Sequence, residues 1–267
     1  MSVEENLKSL FSLEGKTVMI TGAAGSICSE MARTLAGCGA RIALCDVDES
    51  GLERTLKSLP GEGHTAHMID LTEMDRLSSC VEEVKAAHGR IDGLVNGAGI
   101  SKREGMLDMD QPLYDRIMDV NLKSAYFISQ AVVRSSMRHT GGKILNIASY
   151  NSTRYCGGSS VYAVSKCGIV GLTRAQAVEW GRYGIQSNAI APGFVETPLT
   201  ANISEDEERF GYIQKLTCEH RMCQPSELMG VTVLLLSGAS SYITGQVYNV
   251  DGGALIGGTP WHFPTDY

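Results

Sequence analysis

No stretch of this 267-residue chain approaches the roughly 18 consecutive apolar residues that a membrane-spanning helix needs, so an integral membrane protein is not expected. Basic charge is scarce as well. Lys and Arg number 23 against 30 Asp and Glu, giving a net charge of −7 with no run of cations anywhere. Such a chain offers no electrostatic footprint for nucleic acid or for an anionic membrane surface. The first residues, 1–16, carry acidic side chains where a secretory leader would be basic and then apolar, which predicts a cytoplasmic protein. A disulfide framework is not expected either, because the eight cysteines are scattered through apolar segments. Only Cys218 and Cys223 cluster, with His220 between them. That spacing matches no usual zinc site and lacks an obvious fourth ligand, so no metal is expected. Repeats, low-complexity tracts and Pro/Gly/Ser linkers are also missing, which predicts one domain over 1–267.

What the chain does have is alternation. Hydrophobic residues make up 43% of it, enough for a sizeable core. Short β-branched runs at Thr17–Thr21, Arg41–Asp46, His64–Asp70, Gly93–Asn96, Lys143–Ala148, Gln186–Ala191 and Gln246–Val250 are separated by longer helical patterns. Strands apolar on both faces, each followed by an amphipathic helix, specify a parallel sheet covered on both sides. The expected fold class is therefore α/β, a doubly wound Rossmann-type domain with a seven-stranded parallel sheet. Three segments fall outside the alternation: an N-terminal arm over 1–14, a long excursion over 194–224 with the acidic run Glu205–Glu208, and a C-terminal tail over 254–267 ending in Trp261-His262-Phe263-Pro264. A long insertion at the carboxyl edge of such a sheet is either a substrate lid or a plain surface excursion. The aromatic tail reads as a surface that docks on a partner subunit or on ligand.

The first strand runs into Thr21-Gly22-Ala23-Ala24-Gly25-Ser26-Ile27-Cys28, after which a helix is expected. In a glycine-rich strand-to-helix turn, backbone N–H groups face a pyrophosphate at the positive helix end, which makes Gly22, Gly25, Ser26 and Ile27 candidate cofactor contacts. Alone, the same turn is equally a tight connection. Asp46 closes the second strand at the distance where a carboxylate accepts hydrogen bonds from the adenosine ribose hydroxyls and repels a 2′-phosphate. With Val47 next and no cation in the glycine turn, NAD is favoured over NADP, unless Asp46 serves only as an acidic helix cap.

Tyr162 and Lys166 stand four residues apart, hence on one helical face. A phenol titrates near 10 in water. A fixed ammonium beside it should stabilise phenolate and bring proton exchange closer to neutral pH. Ser149 closes the fifth strand, where side chains of an open α/β sheet meet ligands, and its hydroxyl can hold a substrate oxygen. Singly, these residues are equally a strand-end cap and an exposed helical pair.

Taken in order, these segments resemble the short-chain dehydrogenase/reductase family from about Leu13 to Gly253. The matching residues include the Thr21-Gly22 turn, Asp70-Leu71, Asn96-Gly97-Ala98-Gly99, Asn121, Ser149, Tyr162 with Lys166, Pro192-Gly193 with Thr197, and Asp251-Gly252-Gly253. The resemblance implies a nicotinamide-linked oxidoreductase interconverting an alcohol and a ketone. By the same resemblance, Asp70 and Leu71 flank the adenine, Asn96, Ala98 and Gly99 brace the cofactor floor, and Pro192, Gly193, Val195 and Thr197 approach the nicotinamide amide. Ser149 would polarise the carbonyl, Tyr162 would act as general acid or base, and Lys166 would also bind the nicotinamide ribose. Asn121 resembles a residue that kinks its helix to hold a water, and the family implies a homotetramer. Two departures stand out: the family turn has glycine where this chain has Ser26 and Cys28, and commonly a second asparagine where it has Gly97.

Lys102, Arg103 and Arg154 sit in loops near the expected site and, with Ser149 and Tyr162, are candidate substrate contacts suited to a carboxylate. The segment 99–130 is similar to the branch acting on sugar acids and polyols, such as gluconate 5-dehydrogenases. The remaining alternatives are a ketoreductase of the 3-oxoacyl-carrier-protein or steroid type and, in another class, an NAD-binding sensor or scaffold.

Overall fold

Along the first strand, β1 (Thr17–Thr21), Val18 and Ile20 belong to one apolar cluster and Met19 to another, and all three are fully buried. The alternation repeats in β2 (Arg41–Asp46) and β4 (Gly93–Asn96), where Ile42, Leu44 and Val95 join the first cluster and Ala43, Cys45 and Leu94 the second. A period of two thus gives the sheet two buried faces and places a core on each. The computed structural model describes residues 2–257, apart from the side chains of Leu199, Asn202 and Ser204.

In chain order the elements are α1 (Val3–Phe11), β1, α2 (Ser26–Gly37), β2, α3 (Glu49–Lys57), β3 (Thr65–Met68), α4 (Leu77–His88), β4, α5 (Gln111–Met118), α6 (Ser124–Val132), α7 (Arg138–Thr140), β5 (Gly142–Ile147), α8 (Ser160–Trp180), β6 (Ile185–Pro192), α9 (Ala201–Ser204), α10 (Glu207–Leu216), α11 (Met229–Leu236) and β7 (Val247–Val250). The sheet order is β3-β2-β1-β4-β5-β6-β7 and every pairing is parallel. Helices α2 and α11 supply the first core, α4 and α6 the second. No helix among the described residues is long and apolar enough to cross a membrane.

The order reverses between β1 and β4. Connections leave these two neighbours in opposite directions, so a crevice opens outside their carboxyl ends, where ligands of such sheets bind. The turn after β1 and the loop after β4 both border it.

The edges depart from the expected pattern. β3 is confined to Thr65–Met68, shorter than the His64–Asp70 expected, and its residues alternate between half-buried and exposed. It has a strand neighbour on one side only, so its ends lack the pairing that would extend them. Helix α2 starts at Ser26 rather than after Cys28, with Gly25 as its N-cap. The excursion over 194–224 contains two helices, α9 and α10, the second capped by Asp206. Its two ends are drawn together by a bridge in which Cys223 N donates to the Phe194 carbonyl and Glu196 N to the Cys223 carbonyl, each at 2.8 Å. Much of the N-terminal arm is helical: α1 carries a Ser2–Glu5 capping box but buries none of its own residues. The aromatic segment Trp261–Pro264 lies outside the described residues. All eight cysteines are free thiols, and among the described residues no group of three or more His, Cys, Asp or Glu is placed to hold a metal ion.

Candidate active site

Gly22 turns the chain at the end of β1 with φ of +70°, and a β-carbon there would lie 2.7 Å from the Ala98 nitrogen. Only glycine lets the two loops approach this closely. Thr21 ties them further, its hydroxyl donating to the Val95 carbonyl and accepting from Gly97 N, both at 3.2 Å. The first-turn residues of α2 therefore open on the crevice at a helix N-terminus that no side chain caps, where backbone amides can meet an anion.

Asp46 is held by three backbone donors. Its Oδ2 accepts from Ala24 N at 3.0 Å, and its Oδ1 accepts from Val47 N at 2.7 Å and Asp48 N at 3.1 Å. The helix cap of α3 is Asp48, which accepts from Gly51 N, so Asp46 is not spent on that role. Its carboxylate instead links the glycine turn to the cleft wall. The cavity there measures about 570 Å³. Gly22, Gly25, Ser26, Ile27, Asp46, Asp70, Leu71, Ala98, Gly99 and Thr197 all line it, as expected from the sequence. Ala24, Val47, Asp48, Ile69, Ile100, Arg116, Val120 and Pro198 line it too and were not singled out. Of these, Val47 and Asp48 could have been found from their place after Asp46. Arg116 had no local signal: its Nη1 comes 3.9 Å from the Asp70 carboxylate across two elements. Asp70 is held below the usual carboxylate range by hydrogen bonds from Thr72, backbone and side chain, with Arg116 adding a smaller effect.

Four expected contacts are placed elsewhere. Asn96 points away from the cleft, donating to Ser129 Oγ at 2.8 Å and Asn146 Oδ1 at 2.7 Å in a buried polar network that continues to Thr173 and Gln176. It braces the floor from beneath. Val195 is buried in the first core, and Gly193 packs so tightly that a β-carbon would sit 2.8 Å from Asp251 Cα. Neither these two nor Pro192 borders the cavity, whereas Thr197 does.

The candidate chemical groups converge at the carboxyl end of β5. Ser149 caps a short 3-10 turn, accepting from Asn151 N at 3.1 Å, and its hydroxyl hydrogen-bonds the Tyr162 phenol. Lys166 follows one turn later on α8, with Nζ 5.8 Å from the Tyr162 ring centroid. Nζ donates to the Ile147 carbonyl at 2.7 Å, and it lies 3.4 Å from where a Gly99 β-carbon would be. Gly99 thus leaves room above the ammonium. Lys166 is 4% exposed, and burial pulls its pKa down to about 8.

The expectation that Lys166 depresses the phenol needs correction. Burial pushes the Tyr162 hydroxyl above the usual phenol range, and the hydrogen bond with Ser149 offsets this only in part. The ammonium, directed to the Ile147 carbonyl, does not reverse that cost.

Asn121 lies in a π-helical turn, Asp119–Lys123, between α5 and α6. The wider turn redirects its side chain into the loop after β4. Its Oδ1 accepts from Ile100 N at 2.8 Å, while Nδ2 donates to the Ile100 carbonyl at 2.9 Å and to Ser165 Oγ at 3.0 Å. The residue joins the cofactor loop to α8.

The expected substrate cations separate. Arg103 lines a second cavity of about 450 Å³ beside the excursion, with Cys156, Phe194 and Tyr212. A Glu104 N to Gly158 carbonyl bond of 2.8 Å holds its loop there. Lys102 is exposed and borders neither cavity. Arg154 lines neither cavity, and its Nη1 donates to the Ala254 carbonyl at 3.3 Å. Arg209 and Tyr212, on α10, were missed because nothing local in the excursion's sequence tells which side faces in.

The family model described as enoyl-(acyl carrier protein) reductase matches residues 22–254. The chain is 35% identical over 249 residues to gluconate 5-dehydrogenase of Gluconobacter oxydans, covering 92% of this chain and 97% of that protein. It is also 35% identical over 247 residues to the 3-oxoacyl-[acyl-carrier-protein] reductase of Thermotoga maritima, covering 91% and 99%. Among solved structures it is similar to a gluconate 5-dehydrogenase from Burkholderia cenocepacia in complex with NADP and tartrate, with a TM-score of 0.88, 33% identity, and coverage of 93% and 98%.

Proposed function

The chain belongs to the short-chain dehydrogenase/reductase family, and we propose that within it the protein is an NAD(H)-dependent dehydrogenase of a small sugar acid or related polyhydroxy acid, with gluconate as the first candidate. It is an oxidoreductase acting on CH–OH groups. The observation that carries the cofactor reading is the Asp46 carboxylate, fixed on the cleft wall by three amides with Asp48 beside it. Two acidic groups there favour ribose hydroxyls over a 2′-phosphate. Gly22 lets the turn after β1 close on the loop after β4, and Gly99 leaves room above the Lys166 ammonium for a dinucleotide. When bound, the nicotinamide supplies or accepts the hydride.

The residues of this chain manage one proton and one oxygen. Ser149, already hydrogen-bonded to the phenol, holds the substrate oxygen, and Tyr162 donates its proton to that oxygen in reduction or removes it in oxidation. The raised phenol remains protonated at neutral pH, the state that reduction requires. Lys166 holds ribose hydroxyls with its remaining ammonium hydrogens, and Asn121 positions α8 against the loop after β4. Arg103 receives the substrate carboxylate under the excursion, which acts as the lid. Lys102 is left as a peripheral cation, and Arg154 serves as a tether.

A second reading, a 3-oxoacyl-carrier-protein reductase, is favoured by the apolar wall of the lid cavity: Phe194, Ile203 and Ile213. The sensor or scaffold reading, suggested by Ser26 and Cys28 in the glycine turn, is the weaker one, because Ser149, Tyr162 and Lys166 are all present and the Cys28 sulfur fits against Gly97. We propose a cytoplasmic homotetramer, supported by the exposed Tyr126, Phe127 and Val164 on α6 and α8.

A turnover screen with NAD and NADP against sugar acids, polyols, hydroxy acids, steroids and 3-hydroxyacyl thioesters tests the proposal. NAD-linked oxidation of a sugar acid supports it. NADP-linked turnover confined to the thioester would move the protein to the second reading, and tight NADH binding without turnover would restore the sensor.

A further inference from the structure

At the amino edge of the sheet, across from the nucleotide cleft, a second set of charged side chains gathers that the reaction does not use. Lys16, Asp92, Gly141 and Gly184 immediately precede β1, β4, β5 and β6, so the parallel starts of four neighbouring strands meet there. Between these starts and the end of α11 lies a cavity of about 240 Å³. Its charged lining is Lys16, Arg90, Lys143 and Asp92. Three cations face one carboxylate.

That carboxylate is engaged by donors other than Lys143. Asp92 Oδ1 pairs with Lys16 Nζ at 3.3 Å and with Arg90, while Oδ2 accepts from Thr17 N at 3.1 Å. Lys143 Nζ reaches only the Ser240 hydroxyl, at 3.1 Å, and among the described residues no carboxylate pairs with it. Arg90 Nε is buried with no hydrogen-bond partner. Arg41, nearby, bonds the His88 carbonyl and the Thr17 hydroxyl rather than a carboxylate. A half-buried cation with a neutral partner carries an uncompensated desolvation cost. For Lys143 that cost appears as a pKa pulled down to about 8 by burial alone.

We propose that this pocket binds a small phosphate-bearing anion, held between the Lys143 ammonium and the Arg90 guanidinium. The excess of two positive charges matches a dianion, and the Arg90 side chain, which lines the cavity, supplies N–H donors for a phosphate oxygen beside the Lys143 ammonium. The volume admits a phosphate with a short organic remainder but not a nucleotide.

The test is calorimetric titration of the full-length protein at constant ionic strength, with inorganic phosphate in one arm and glycerol phosphate in the other. The nucleotide cleft is saturated with dinucleotide beforehand, so that its own anion site is filled. Saturable single-site binding is expected, weakened at least about tenfold in Lys143→Met and in Arg90→Gln, and kept within about threefold in Lys143→Arg and in the remote Lys57→Met. Binding in the phosphate arm alone identifies a free anion, and binding in both identifies a phosphomonoester site. Unchanged dinucleotide affinity certifies that each variant is folded. No saturable binding in either arm, or equal affinity in wild type and both cavity variants, overturns the proposal.

Discussion

The Cys28 sulfur occupies the space that a β-carbon on Gly97 would need: such an atom would fall far inside van der Waals contact with Sγ. Cys28 sits in the first turn of α2 and Gly97 in the loop after β4, so the two departures from the family pattern form a single packed contact. The thiol is 4% exposed and burial pushes its pKa up to about 12, which leaves it a packing group rather than a nucleophile.

Gly97→Ala should therefore destabilise the protein by about 1–3 kcal/mol through overpacking, and weaken NADH binding. Cys28→Ala should restore part of this, giving a coupling energy of at least about 0.5 kcal/mol in a double-mutant cycle measured by denaturant unfolding. Recovery will be incomplete, because the Gly97 β-carbon would also lie 2.9 Å from the Thr21 carbonyl. Strict additivity of the two substitutions would show that the contact carries no energy.

Asp46→Ala should reduce the preference for NADH over NADPH by about tenfold or more, the loss expected for charge-assisted hydrogen bonds. Equilibrium titration of both cofactors by fluorescence measures it. An unchanged ratio would remove the carboxylate from cofactor choice.

The phenol raised by burial makes the two directions respond oppositely to pH. Below its pKa Tyr162 carries the proton that ketone reduction consumes, so kcat for reduction should hold through neutral pH. Alcohol oxidation needs the phenolate and should accelerate as pH rises through the alkaline range. Ser149→Ala removes the one interaction that lowers the phenol and should move the oxidation profile further toward alkaline pH. Steady-state rates at saturating substrate across pH check both statements.

His88 is 5% exposed and its pKa falls to about 4, chiefly from burial, then from Arg41 and His67. The unfolded chain binds this proton near pH 6.5, before the folded one does. The contribution of neutral His88 is thus complete above about pH 6.5 and is lost as pH falls toward 4, amounting to at most about 3 kcal/mol. Unfolding free energies measured from pH 7 to 4 should fall more steeply in the wild type than in His88→Gln.

β1, β2 and β4 were legible residue by residue, because strands covered on both faces announce themselves as continuous apolar runs. β3 was overextended since an edge strand ends where its single neighbour stops pairing, which composition does not reveal. Ser149, Tyr162 and Lys166 could be placed together from their order and spacing. The raised phenol could not, because burial depends on what packs around α8. Asn96 was found but its direction was not: strand alternation gives the face, whereas its partners Ser129 and Asn146 come from elements far along the chain. The Arg154 partner was hidden for the same reason, its acceptor at Ala254 being remote in sequence. Ser26, Cys28 and Gly97 were visible as departures, yet only coordinates show that the last two compensate.

In the proposed reaction Tyr162, with Ser149 and Lys166, exchanges the proton that accompanies nicotinamide-linked hydride transfer. The most direct test is the kcat for NAD-linked gluconate oxidation by wild type and Tyr162→Phe, with NADH binding measured on the same samples. The expected result is a loss of about a hundredfold or more in kcat with NADH affinity kept within about threefold. A Tyr162→Phe enzyme that binds NADH and turns over as fast as the wild type would contradict the account.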